Sequence, residues 1–151
     1  MTRLSALLLV SALASAGCAD PTHHADWMSE IAARYARELA PLGAFDLPVE
    51  REGCESAWHL YPLRLKAERW TISRDRFIEA LRERNIGTSV HFIAVHTFTY
   101  YREKYGYAAE DYPVAFGESE RIVTIPLHPG LSDGDVQDVI DAVQDITRHH
   151  A

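Results

Sequence analysis

The stretch Trp58–Val95, WHLYPLRLKAERWTISRDRFIEALRERNIGTSVHFIAV, decides how this chain folds. Trp58 to Leu65 places Tyr61, Leu63 and Leu65 on one face and predicts a strand, with Pro62 marking an edge or an irregular stretch. Ser73 is a good N-cap for a helix running to Arg84, with Asp75 in its first turn and Phe77, Ile78 and Leu81 as the buried stripe. Asn85 and Gly87 close that helix, and a second strand is predicted from about Thr88 to Val95.

Working outward, Met28, Ile31, Ala32, Tyr35 and Leu39 recur at helical spacing and predict a helix from about Asp26 to Ala40. Pro41, Gly43 and Pro48 then make a loop. On the other side come short helices near Tyr100 to Tyr105 and Val114 to Glu120, and a third strand from Ile122 to Leu127. After the turn His128-Pro129-Gly130, Ser132 and Asp135 form a capping-box start to the last helix. Its apolar stripe is Val136, Val139, Ile140, Val143 and Ile146. The expected fold is therefore α/β in the two-layer α+β sense, a small sheet of about three strands covered by helices. Two segments are expected: an N-terminal helical arm over residues 1–48 and a small domain over residues 49–151.

The arm opens on Leu4 to Gly17, LSALLLVSALASAG, after a single positive charge at Arg3. That is the outline of a secretory signal, and Cys18 behind Ser15-Ala16-Gly17 suggests a lipoprotein cleavage box with serine at its head. The run is too short to span a bilayer by itself. Small and aliphatic residues on every side equally suit a helix buried inside a protein, ended or kinked by Asp20, Pro21 and Thr22.

Composition narrows the function. Fifteen Lys+Arg against 22 Asp+Glu give a formal net charge of −7, and without a basic block the chain is a poor nucleic-acid binder. Two cysteines, Cys18 and Cys54, exclude a disulfide scaffold and a cysteine-rich zinc module. Lys66 and Lys104 are the only lysines, so chemistry that needs a dedicated lysine has two candidates. Asp133, Asp135, Asp138, Asp141 and Asp145 read as a solvated helix face rather than a carboxylate site.

Candidate ligand-facing groups gather at the exit of the second strand, where His91 and His96 fall within six residues. If the strand ends near Val95, His96 opens a loop at its tip, with Thr97, Thr99, Tyr100 and Tyr101 adding hydroxyls. The same pattern is satisfied by a half-buried structural His91 and a solvated His96. A spacing of five does not aim both imidazoles at one metal ion, and His23-His24 and His149-His150 are adjacent polar pairs. No glycine-rich phosphate loop, nucleophile elbow or HExxH motif occurs.

Four segments together carry a family resemblance: SAWHLYPLRL (56–65), SRDRFIEALRERNIGTSVHFIAVHTFTYYREKYGY (73–107), ERIVTIPLHPGLSD (120–133) and DVQDVIDAV (135–143). They resemble the C-terminal part of the DegT/DnrJ/StrS aminotransferases, fold-type I pyridoxal-phosphate enzymes. The resemblance implies transfer of an amino group from glutamate to a nucleotide-linked keto-sugar, as in cell-envelope polysaccharide biosynthesis. Its closest flavour is the UDP-sugar branch, with the 4-amino-4-deoxy-arabinose and pseudaminic-acid pathway enzymes. It implies that His91, His96, Tyr100 and Tyr101 line the substrate side of a cleft, and that the Trp58–Tyr61 strand is scaffold near it. Thr2 to Leu7 is similar to the segment that opens the family's interdomain helix, so Arg3 would reach across a dimer toward the partner's cofactor and substrate. This likeness favours the helix over the signal reading of the arm, hence a cytoplasmic chain rather than an exported or lipid-anchored one.

The departures matter equally. The family's large domain, its Schiff-base lysine, pyridine-nitrogen carboxylate and ring-stacking aromatic have no counterpart here, and neither Lys66 nor Lys104 sits where the family keeps that lysine. Met1-Thr2-Arg3 lacks the family's asparagine, Pro21 interrupts a long helix, and Ala94 stands where proline is common. The expectation is a small domain that binds no pyridoxal phosphate and is inactive alone, acting as a homodimer or with a separately encoded catalytic half. The alternative is a non-catalytic binding or interaction module.

Overall fold

The computed structural model describes residues 21–151, with side chains from Trp27 onward. Arg3, Cys18 and the apolar run 4–17 lie outside the described residues. The elements in chain order are α1 (Pro21–Leu39), β1 (Phe45–Asp46), β2 (Tyr61–Leu65), α2 (Arg74–Glu83), α3 (Thr99–Tyr105), α4 (Pro113–Arg121), β3 (Ile122–Ile125) and α5 (Asp133–His150). Single 3-10 turns link several of them.

The three strands form one antiparallel sheet in the order β1-β2-β3. Tyr61 pairs with Ile125, Leu63 with Val123, and Phe45 with Leu65. Strand alternation aims Tyr61, Leu63 and Leu65 at the helices, and all three are buried. Helices α1, α2 and α5 supply the opposing layer through Ile31, Tyr35, Leu39, Phe77, Leu81 and the expected stripe of α5. Helix α1 and β1, inside residues 1–48, thus share a core with residues 49–151. Tyr35 donates to the Pro126 carbonyl at 2.9 Å, and Trp70 Nε1 donates to the Ala44 carbonyl at 2.9 Å, tying loops to that core.

The helix caps form as the sequence predicts. Ser73 accepts from the Arg76 amide, and Ser132 and Asp135 close a reciprocal capping box. The other face of the sheet is charged. Arg121 bonds Asp46 at 2.7 Å and also Glu118, while Arg64 and Lys66 approach Glu118 and Asp46 at 3.7 and 3.8 Å. The Arg121 hydrogen bond holds the Asp46 carboxyl below its usual range.

One expected strand does not form. Residues 88–95 make a single bridge, Ser89 with Thr124, through Ser89 N–H to Thr124 O at 3.1 Å and Thr124 N–H to Ser89 O at 2.7 Å. In an antiparallel ladder the next hydrogen-bonded pairs would be His91 with Ile122 and Gly87 with Pro126. Pro126 has no N–H to give. Ile122 is already committed: its N–H caps α4 on the Glu118 carbonyl, and its carbonyl accepts from Arg74 Nη1 at 2.9 Å. The third strand of the sheet is instead β1, in a segment whose Pro41, Gly43 and Pro48 read as loop. Pro62 is tolerated in β2 because its missing donor points to the side where β1 has ended: Asp46 pairs with Arg64, two residues away.

Candidate functional site

A cavity of about 1000 Å³ opens between the segment after α2 and the N-terminal turns of α5. Ile125, Leu131 and Val139 form its apolar floor, and His91, His128 and Arg84 are polar groups on its wall. Asp135, Asp138, Asp141 and Asp145 of α5 line the opposite side. Asp145 is not a free carboxylate there, because Arg84 Nη2 donates to it at 2.6 Å and holds its carboxyl below the usual range. Asp135 is lowered likewise by its bonds to Ser132. Among the described residues, no group of three or more His, Cys, Asp or Glu side chains gathers to hold a metal.

Of the residues expected to face substrate, His91 lines this cavity. It is half-buried, with Nδ1 3.0 Å from Thr124 Oγ1 and its ring 5.0 Å from that of Phe92. His96 does not open a solvated loop. It lies in the 3-10 turn Val95–Thr97, is 7% exposed, donates Nε2–H to the Ala109 carbonyl at 3.2 Å and packs on Tyr112. Tyr100 and Tyr101 sit on α3, with ring centroids 5.3 Å apart.

The tyrosines on α3 continue into a larger aromatic array. Tyr101 stacks on Tyr105, Tyr105 on Tyr107, and Tyr107 meets Tyr112 edge-on, which reaches His96. A hydrogen bond to Tyr112 raises the Tyr107 phenol above its usual range. This array places Tyr105, Tyr107 and Tyr112 beside the expected pair, although periodicity singles out none of them. Thr124 and Arg74 were also invisible as site-shaping residues, since each acts through a backbone group or a ring that only the fold brings near.

The two lysines answer whether these residues fit pyridoxal phosphate by themselves. Lys66 is committed to Asp46 on the charged sheet face. Lys104 donates to Tyr100 Oη at 2.7 Å, with its ammonium over the rings of Tyr100 and Tyr105. Neither lines the cavity. Helix starts are the usual cradle for a phosphate, but the first turns of α2 and α5 already hold Ser73 with Asp75 and Ser132 with Asp135. Around this cavity, then, the described lysines and these two helix starts do not supply the groups that would fit the cofactor.

The family model for the DegT/DnrJ/EryC1/StrS aminotransferase family matches residues 1–144. The chain is 43% identical over 117 residues to MJ1066 of Methanocaldococcus jannaschii, covering 78% of this chain and 30% of that protein. It is 42% identical over 120 residues to the spore coat polysaccharide biosynthesis protein SpsC of Bacillus subtilis, covering 79% and 31%. Among solved structures, Spr1654 of Streptococcus pneumoniae, assigned as a sugar aminotransferase, superposes with a TM-score of 0.76 at 26% identity, covering 85% of this chain and 32% of that one. Spr1654 is also solved in PLP and PMP forms. The chain thus spans about a third of the length of the proteins it matches. No helix among the described residues is long and apolar enough to cross a membrane.

Proposed function

Because the chain belongs to the DegT/DnrJ/EryC1/StrS aminotransferase family, we propose that it works as the small C-terminal part of a nucleotide-sugar aminotransferase. In this reading it shapes the substrate side of a cleft whose cofactor-bearing wall is another stretch of polypeptide. The family match over residues 1–144 is the observation that carries the reading. The placement of both lysines away from the cavity supports the division of labour. When bound, pyridoxal phosphate would supply the electron sink for moving an amino group from glutamate to a keto-sugar.

This chain's own residues have positional roles. His91 faces the cavity and would hydrogen-bond an oxygen of the sugar nucleotide. Tyr100 and Tyr101 present phenol rings at the exposed end of the aromatic array, where sugar or base faces can stack. His96 acts from behind, holding the Ala109 carbonyl and bracing Tyr112. Arg3 keeps its proposed reach across a homodimer, and the segments 1–48 and 49–151 remain the proposed arm and small domain. The substrate would be a UDP-linked keto-sugar of an envelope polysaccharide route.

Two measurements on the 151-residue chain test this. With pyridoxal phosphate, glutamate and a UDP-4-keto-sugar, no amino-sugar should form. Titration with the UDP-sugar should shift the NMR signals of His91, Tyr100 and Tyr101. Measurable cofactor-dependent turnover, or shifts confined to other residues, would overturn the reading.

A further inference from the structure

Resting on the reading of His91 as a substrate-side group, we propose that Thr124 is a positioning residue that locks His91 in its Nε2–H tautomer, so that the cavity offers a hydrogen-bond donor and takes an oxygen acceptor there. The argument starts from the backbone. Thr124 is pinned on both sides, paired in register with Pro62 and doubly bonded to Ser89, so its side chain has a fixed origin. It is 6% exposed, and its hydroxyl has one hydrogen-bonding partner among the described residues, His91 Nδ1 at 3.0 Å.

A neutral imidazole has one N–H and one bare nitrogen, and its neighbour decides which is which. If Nδ1 carried the proton, it would donate to Thr124 Oγ1, and the hydroxyl hydrogen would have no acceptor among the described residues. If Nδ1 is bare, the hydroxyl donates to it and both groups are satisfied. The second arrangement puts the proton on Nε2. Because His91 lines the cavity, that N–H is the group a ligand would meet. A hydroxyl, carbonyl or phosphoryl oxygen is the matching chemistry, and an ammonium ligand is disfavoured at this point. At position 124 the hydroxyl makes the choice: valine has the shape without the donor, and serine keeps the donor without the methyl.

The test reads the tautomer directly from long-range nitrogen–proton NMR correlations of His91 in the 151-residue chain at neutral pH. Wild type should show Nε2 protonated and Nδ1 bare, with the Thr124 hydroxyl proton protected from exchange. In Thr124→Val the two nitrogen shifts should move toward each other as the ring samples both tautomers, while Thr124→Ser should restore the wild-type pattern. Circular dichroism of both variants should match wild type, since each residue suits a strand. A protonated Nδ1 in wild type, or valine-variant shifts identical to wild type, would overturn the proposal. The UDP-sugar titration is separate: its failure removes the substrate role of His91 and leaves the tautomer result standing.

Discussion

Replacing Arg74 by methionine tests the account of why the pairing of residues 88–95 with β3 stops at one bridge. The Arg74 side chain is 11% exposed, and Nη1 donates to the Ser119 carbonyl at 3.0 Å and the Ile122 carbonyl at 2.9 Å. Methionine keeps most of the apolar stem and removes both donors. A hydrogen bond from a charged group contributes about 1.5–3 kcal/mol, so two such bonds set an upper range of about 3–6 kcal/mol. Water will reach the freed carbonyls in part, and the exposed Asp75 partner adds little, which leaves an expected loss of about 3 kcal/mol. For a folded unit of this size that corresponds to a drop in Tm of roughly 10 °C. Urea unfolding followed by circular dichroism measures it, with an unchanged m-value showing that the native state remains compact. Hydrogen exchange should speed up most at the amides of Ile122 and Thr124. A loss under about 0.5 kcal/mol would refute the idea that this guanidinium stands in for a strand partner.

Three further outcomes follow from the described geometry. Borohydride treatment of the chain saturated with pyridoxal phosphate should trap no stoichiometric adduct on Lys66 or Lys104; a single mapped adduct on either would show a cofactor site. Stability should fall as pH drops through the carboxylate range, because Asp46, Asp135 and Asp145 have folded pKa values below their unfolded ones. Their contribution is present above the unfolded value and is lost as they protonate. Asp46→Asn should therefore flatten the acid limb of a urea-midpoint profile, and an unchanged limb would remove Arg121 as its cause. Ser132→Ala should lower stability by about 1 kcal/mol through loss of the α5 cap, read by thermal melting.

The elements that the sequence makes legible are those whose signal is local. Ser73 and Ser132 announce helix starts through side chains that act within one turn. The α5 stripe is buried at every expected position, because one periodicity and one neighbouring sheet decide it. Residues 88–95 mislead because their alternation is local while a ladder needs a partner, and the partner's groups are taken by Arg74 and the end of α4. Phe45–Asp46 is missed for the converse reason: two residues carry no period, and only pairing with Arg64 and Leu65 makes them a strand. The same contrast separates the histidines. His91 lines a cavity, whereas the burial of His96 depends on Ala109 and Tyr112, more than ten residues further along the chain.

The short bridge at Ser89 also bears on how the molecule behaves in a crowded solution. A bare sheet margin exposes a row of amides and carbonyls onto which a foreign strand can zip, the first step toward aggregation. Here the margin of β3 is filled in turn by a helix cap, an arginine, one bridged residue and a proline. They close Ile122, Thr124 and Pro126 in turn, and together they leave no run long enough for another chain to read. The opposite margin is β1, only two residues long. The sheet is therefore guarded at both borders by interruption rather than by a covering strand.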